Sequence, residues 1–309
     1  MESWNRTSVS DFILAGITDL PWLQKVLFVF VLLLYQLDIM GNVVIIILAT
    51  KDPSLHSPMY FFLANLSFLD ICFSSVTVPK MMVGFWIQNV ISMEGCIMQM
   101  YFFHSLGFSE GVLLSAMGYD RYVAICHPLR YKIIMRKSVC VYLVVLSWAA
   151  GLTTSLVNAL MTSQLPFCNA YKVHHFYCDV KPVIKLACKD ISVNQMTLTY
   201  FSGFICTGTF ILTVLSYFYI ISYVVAHQSS KGRSKAFSTC SAHLTIVMLF
   251  YGTAMCTYLG PDSEESIERD RVAAILFALI TPSLNPIIYT LRNKEVRKSL
   301  GNIFKCAQY

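Results

Sequence analysis

Seven stretches of this chain are long and apolar, and that pattern leaves few folds open. They run at 23–49, 58–86, 95–125, 139–162, 195–227, 236–260 and 271–291. A hydrocarbon core about 30 Å thick needs about 20 apolar residues per helix, so each stretch is long enough to cross. Composition points the same way. Of 309 residues, 56% are hydrophobic and only 13% charged, with a mean hydropathy of +0.60. A soluble domain this poor in charge would leave large apolar patches in water. The expected fold is an all-α membrane protein, a seven-transmembrane helix bundle at 23–291. It follows a short extracellular lead at 1–22 and precedes a cytoplasmic amphipathic helix and tail at 292–309.

An odd number of spans puts the termini on opposite sides. Basic residues cluster at Arg121, Arg130, Lys132, Arg136 and Lys137, at Lys231, Arg233 and Lys235, and at Arg292, Lys294, Arg297, Lys298 and Lys305. The positive-inside rule makes these segments cytoplasmic and the N-terminus extracellular. Asn5-Arg6-Thr7 is a glycosylation sequon, usable only outside, so Asn5 is expected to carry a glycan. Four of the eleven cysteines, Cys96, Cys168, Cys178 and Cys188, fall at the outer end of the third span or in the loop after the fourth. Disulfides persist there, and four cysteines allow three connectivities. No basic leader with a cleavage site precedes the first span, so no removable signal peptide is expected.

The polar residues inside the spans carry most of the chemistry. Asn42 needs hydrogen-bond partners within the membrane, and Asp38 in the same span reads as an inward-facing polar contact. Asp70 and Glu110 fall at similar depths. Two carboxylates in a low dielectric cannot both ionise without a cation or a proton. A Na⁺ ion shared by Asp70 and Glu110 and a single protonated carboxyl both remain open. His104, Gly107, Phe108 and Gly111 recur at helical spacing and share a face of the third span. His174, His175 and Cys178 suggest a metal site, which fails if Cys178 is oxidised. Past the last span, Val296, Leu300, Ile303 and Phe304 recur among Lys and Arg as one apolar stripe, the pattern of a helix lying on a membrane surface. Cys306 beside it is a candidate for palmitoylation.

The stretch Met117–Tyr131 contains Asp120-Arg121-Tyr122 at the inner end of the third span. That triplet resembles the rhodopsin class of G-protein-coupled receptors. Its continuation, Val123-Ala124-Ile125-Cys126-His127-Pro128-Leu129-Arg130-Tyr131, resembles the vertebrate odorant receptors, where Ala is usual at the position of Gly118. Leu55–Leu63, the decapeptide Lys235–Leu244 and Pro282–Asn293 resemble the same family, so the resemblance covers almost the whole chain. The tetrapod type fits better than the fish-like type, because Asp262 stands where fish-like acid receptors place a basic residue.

That resemblance implies two disulfides, Cys96–Cys178 and Cys168–Cys188. It implies coupling and activation through Asp120, Arg121, Tyr122, Tyr217, His243, Asn285, Pro286 and Tyr289. At rest Arg121 is expected to hold the third and sixth helices together through Asp120 and nearby polar groups. Helical spacing and resemblance together give a pocket lined by Phe103, His104, Gly107 and Phe108 on the third helix and by Phe201, Ser202 and Ile205 on the fifth. Tyr251, Ala254, Met255 and Tyr258 on the sixth and Ala274, Ile275 and Ala278 on the seventh complete it. No unpaired buried cation is evident to hold a carboxylate, so the implied ligand is a small volatile odorant, neutral or weakly basic. The implied partners are membrane lipids and a heterotrimeric G protein of the stimulatory, olfactory type that raises cyclic AMP, with no nucleic acid. The implied location is the plasma membrane of olfactory cilia.

Other classes fit less well. The chain shows neither inverted repeats nor a charged pore lining, as a transporter or channel would. It has no His-Glu-x-x-His and no Ser/His/Asp set at one depth, so an enzyme is not expected. Apart from the candidate Na⁺, no cofactor is expected. The closest rival is a rhodopsin-class receptor for a small endogenous ligand. An amine receptor would want an acid one turn into the third helix, and Phe103 occupies that region.

Overall fold

This computed structural model describes residues 10–168, 171–258, 264–292 and 294–306. The expectations for Asn5 and Asp262 lie outside these residues, as do those for the side chains of Ile303, Phe304 and Cys306.

Seven long helices form the bundle. They are α1 (Pro21–Lys51), α2 (Pro58–Val83), α3 (Met93–Cys126), α4 (Lys137–Ser163), α5 (Ser192–His227), α6 (Ser230–Tyr258) and α7, which runs through Glu264–Ile275, Leu276–Ile280 and Thr281–Arg292. An eighth, α8 (Lys294–Cys306), follows. All but α3 and α8 are long and apolar enough to cross a membrane. At 34 residues α3 is the longest single helix and extends about 50 Å. It is less apolar because protein surrounds it: α2, α4, α5 and α6 all pack on it.

Close approach at α3 depends on small residues, as in other membrane bundles. A Cβ on Gly151 of α4 would overlap the Ser105 carbonyl and Ser109 of α3. Gly41 of α1 meets Pro286 of α7 the same way, at 2.7 Å from an added Cβ to the ring.

Two helices depart from α geometry. In α5 the turn Thr197–Ser202 is π-helical, and in α7 so is Leu276–Ile280. Each inserts extra residues per turn and shifts the phase of every side chain that follows.

The N-terminal lead is more than a polar tail. Residues Asp11–Leu14 form β1, which pairs antiparallel with β2 (Val90–Ser92) and parallel with β3 (Lys172–Val173) of the long loop between α4 and α5. Phe12 and Leu14 are buried in a cluster with Cys96, Cys178, Val173 and Val183. At the opposite end α8 is tied back to the bundle. Ser299 donates to Asp52, the Tyr60 hydroxyl donates to Glu295 at 2.6 Å, and Val296 is buried in the main core.

Candidate functional site

Both disulfides of the resemblance are present, Cys96–Cys178 joining α3 to the long loop and Cys168–Cys188 within that loop. Cys178 is therefore no thiolate ligand for a metal. His175 beside it is buried, and burial pushes its pKa down to about 4, so it stays neutral. Among the described residues no three His, Cys, Asp or Glu side chains converge as a metal site.

Beneath this lid lies a cavity of about 460 Å³. Ten of the residues named from the sequence line it: Phe103, His104, Gly107, Phe108, Ser202, Ile205, Tyr251, Ala254, Met255 and Tyr258. Four do not. Phe201 turns outward and is 43% exposed. Ala274 and Ala278 are buried in helix packing, and Ile275 packs against the same core. All four lie within or beside the two π turns, where counting at 3.6 residues per turn loses its phase. Phe277 takes their place on α7, edge-on to Phe73 at 5.1 Å between ring centres.

The sequence reading missed three residues. Asp179, adjacent to the disulfide, is 1% exposed and accepts from His104 Nε2 at 2.9 Å and from the Tyr258 hydroxyl at 3.0 Å. Burial would raise its pKa, but the bond and charge of His104, the charge of His175 and the bond from Tyr258 outweigh it and hold the carboxyl below the usual range. Its position was legible in principle, because a residue next to Cys178 must sit beside the end of α3. Lys181 and Lys185 also line the cavity, although no basic group was evident there from the sequence. Lys181 donates to the Thr257 carbonyl at 3.1 Å and pairs with Asp270 at 2.9 Å; Lys185 is exposed at the mouth.

At the opposite end Arg121 pairs with Asp120 at 3.0 Å, and Tyr131 donates to the second oxygen of Asp120 at 2.7 Å. The expected tie from Arg121 to the sixth helix is not the one observed. Instead the Tyr217 hydroxyl of α5 and His243 Nδ1 of α6 share a 2.6 Å hydrogen bond. Tyr122 reaches His127 at 3.2 Å. The Arg121 charge still acts on Tyr217, His243 and Tyr289, which places all four in one cluster.

Between the two ends lies a buried polar core. Asn285 Nδ2 donates to both oxygens of Asp70, at 3.0 and 2.9 Å. Asn42 donates to Asp38 at 2.7 Å, and Ser74 donates to its other oxygen, so Asp38 bridges α1 and α2. Glu110 Oε1, Asn285 Oδ1 and the Tyr289 hydroxyl are buried without a partner among the described residues.

A family model described as olfactory receptor matches residues 30–306. Olfactory receptor 12D1 of Homo sapiens is 48% identical over 304 residues, covering 97% of this chain and 95% of that protein. Olfactory receptor 12D2 of Homo sapiens is 46% identical over 303 residues, with 97% and 99% covered. Olfactory receptor 2B6 of Mus musculus is 44% identical over 305 residues, with 98% and 97% covered. With a seven-helix bundle, a lidded cavity and likeness of this extent, the chain belongs to the olfactory receptor family of G-protein-coupled receptors and is not an enzyme.

Proposed function

We propose that a small volatile ligand binds in the cavity between α3, α5 and α6 and turns on a stimulatory, olfactory-type G protein that raises cyclic AMP. The observation that supports this most is the cavity itself. It is mostly apolar with a few polar points, has the size usual for small ligands, and sits under a lid fastened to α3. The chain then works at the plasma membrane of olfactory cilia with its N-terminus and disulfides outside, Asn5 glycosylated, and Arg121 facing the G protein. The test is to express the chain with that G protein and screen volatile compounds for cyclic AMP. Ion or solute flux without cyclic AMP would refute it.

A Na⁺ ion held by Asp70 and Glu110 belongs to the same reading. It is supported by the unpartnered Glu110 Oε1 and Asn285 Oδ1 and by the electrostatic link between the two acids. Raising sodium is expected to shift the agonist dose–response curve, and Glu110→Gln to remove that shift. A shift that persists in Glu110→Gln excludes the site.

A further inference from the structure

The hydrogen bonds around the cavity leave its lining chemically one-sided. Asp179 is an ionised carboxylate and can only accept. Its contacts with His104 Nε2 and the Tyr258 hydroxyl therefore engage the hydrogens of both groups. In a neutral imidazole with hydrogen on Nε2, the other nitrogen carries only a lone pair. His104 Nδ1 has no partner among the described residues and is not sealed from the cavity. The Tyr258 oxygen likewise keeps its lone pairs. Tyr251 donates to the Gly111 carbonyl at 3.0 Å, and Thr209 donates to the Cys206 carbonyl at 2.9 Å. Ser202 accepts from Asn158 at 2.8 Å; among the described residues it is the one buried lining hydroxyl whose own hydrogen stays uncommitted. At the outer end Lys181 is engaged with Thr257 and Asp270, and Lys185 is not free either.

We infer that the cavity selects hydroxyl-bearing ligands, alcohols or phenols, whose O–H donates to His104 Nδ1 or the Tyr258 oxygen, over ethers, aldehydes and ketones of the same skeleton. Asp179 is the positioning residue, since it turns the hydrogens of His104 and Tyr258 away from the ligand. An acceptor-only ligand would face those lone pairs with lone pairs of its own and leave them unpaired in a dry pocket. The inference rests on the reading that the agonist sits in this cavity.

The experiment uses cells expressing the full chain and matched sets on one carbon skeleton: an alcohol, its methyl ether and the corresponding aldehyde, and a phenol with its anisole. The hydroxyl member is expected to be roughly three- to tenfold more potent in each set. Tyr258→Phe removes one accepting oxygen and is expected to shrink that ratio at normal surface levels. Asp179→Asn gives His104 and Tyr258 a partner that both donates and accepts, and is expected to shrink it too. If Asp179→Asn fails to reach the surface, Tyr258→Phe alone decides the outcome. Ethers or aldehydes matching or exceeding the alcohols overturns the inference, as does an unchanged ratio in Tyr258→Phe. Ala254→Phe separates the underlying reading: filling the cavity should weaken every member of a set alike. If no potency moves in Ala254→Phe, ligand binds elsewhere, and both the cavity reading and the inference fall.

Discussion

An Arg121→Ala receptor is expected to reach the cell surface, bind ligand and raise no cyclic AMP. Arg121 and Tyr131 are the two groups that satisfy the carboxylate of Asp120, which is itself 0% exposed. Removing one partner of a buried pair costs about 3–5 kcal/mol where nothing else compensates. Tyr131 still donates here, and the site lies at the end of the bundle, so the loss falls below that range and folding survives. The signalling loss is larger. Tyr217 and His243 join α5 to α6 within reach of the Arg121 charge, while the Tyr289 hydroxyl waits unpartnered. Outward movement of α6 breaks the first arrangement, and Arg121 is the group able to hold the second. Such a two-position element is what a rigid-body switch requires. Arg121→Lys keeps the charge but lacks the planar head, so it should recover only part of the response. Undiminished cyclic AMP from a well-expressed Arg121→Ala receptor would refute this account.

Cys96→Ala is expected to remove the receptor from the surface. The bond it breaks joins positions 82 residues apart and lies inside a buried cluster with Phe12, Leu14 and Val173. Disulfides of this kind contribute about 2–4 kcal/mol. The second bridge, with a separation of 20, closes a shorter loop, and chain entropy makes it worth about 1 kcal/mol less. Cys168→Ala should therefore lower surface labelling less than Cys96→Ala. The double variant Cys96→Ala/Cys178→Ala should be no worse than either single, because all three lose the same bond. Normal labelling and response in Cys96→Ala would sink the prediction.

The bundle was legible in the sequence because bilayer thickness imposes a length on every span, and the ends of α1 to α7 fall close to the stretches read from hydropathy. The face of α3 was legible for the same reason: an unbroken helix keeps its period from His104 to Gly111. What failed was phase. Phe201, Ala274, Ile275 and Ala278 were placed by a period that the π turns interrupt, and nothing local in Thr197–Ser202 or Leu276–Ile280 announces a wider turn. Strand β1 was hidden for a different reason. Four residues give too short an alternation to read, and its partners lie far along the chain at Val90–Ser92 and Lys172–Val173. Asp179 sits in a loop with no periodic signal of its own, and only the disulfide of its neighbour Cys178 places it. Asp38, unexplained as a lone acid, becomes intelligible once Asn42 and Ser74 are seen to donate to it.

The pairing of β1 bears on how chimeras of this receptor are cut. Leader sequences are commonly grafted onto receptors to improve delivery, and a natural junction would be the start of α1 at Pro21. A graft made there discards Phe12 and Leu14, strips β2 and β3 of the strand between them, and uncovers the cluster around Cys96–Cys178. The bond from the Arg271 side chain to the Gly16 carbonyl goes with them. The transplantable boundary lies before Asp11: sequence ahead of it can be exchanged as a tag, whereas sequence from Asp11 onward travels with the receptor.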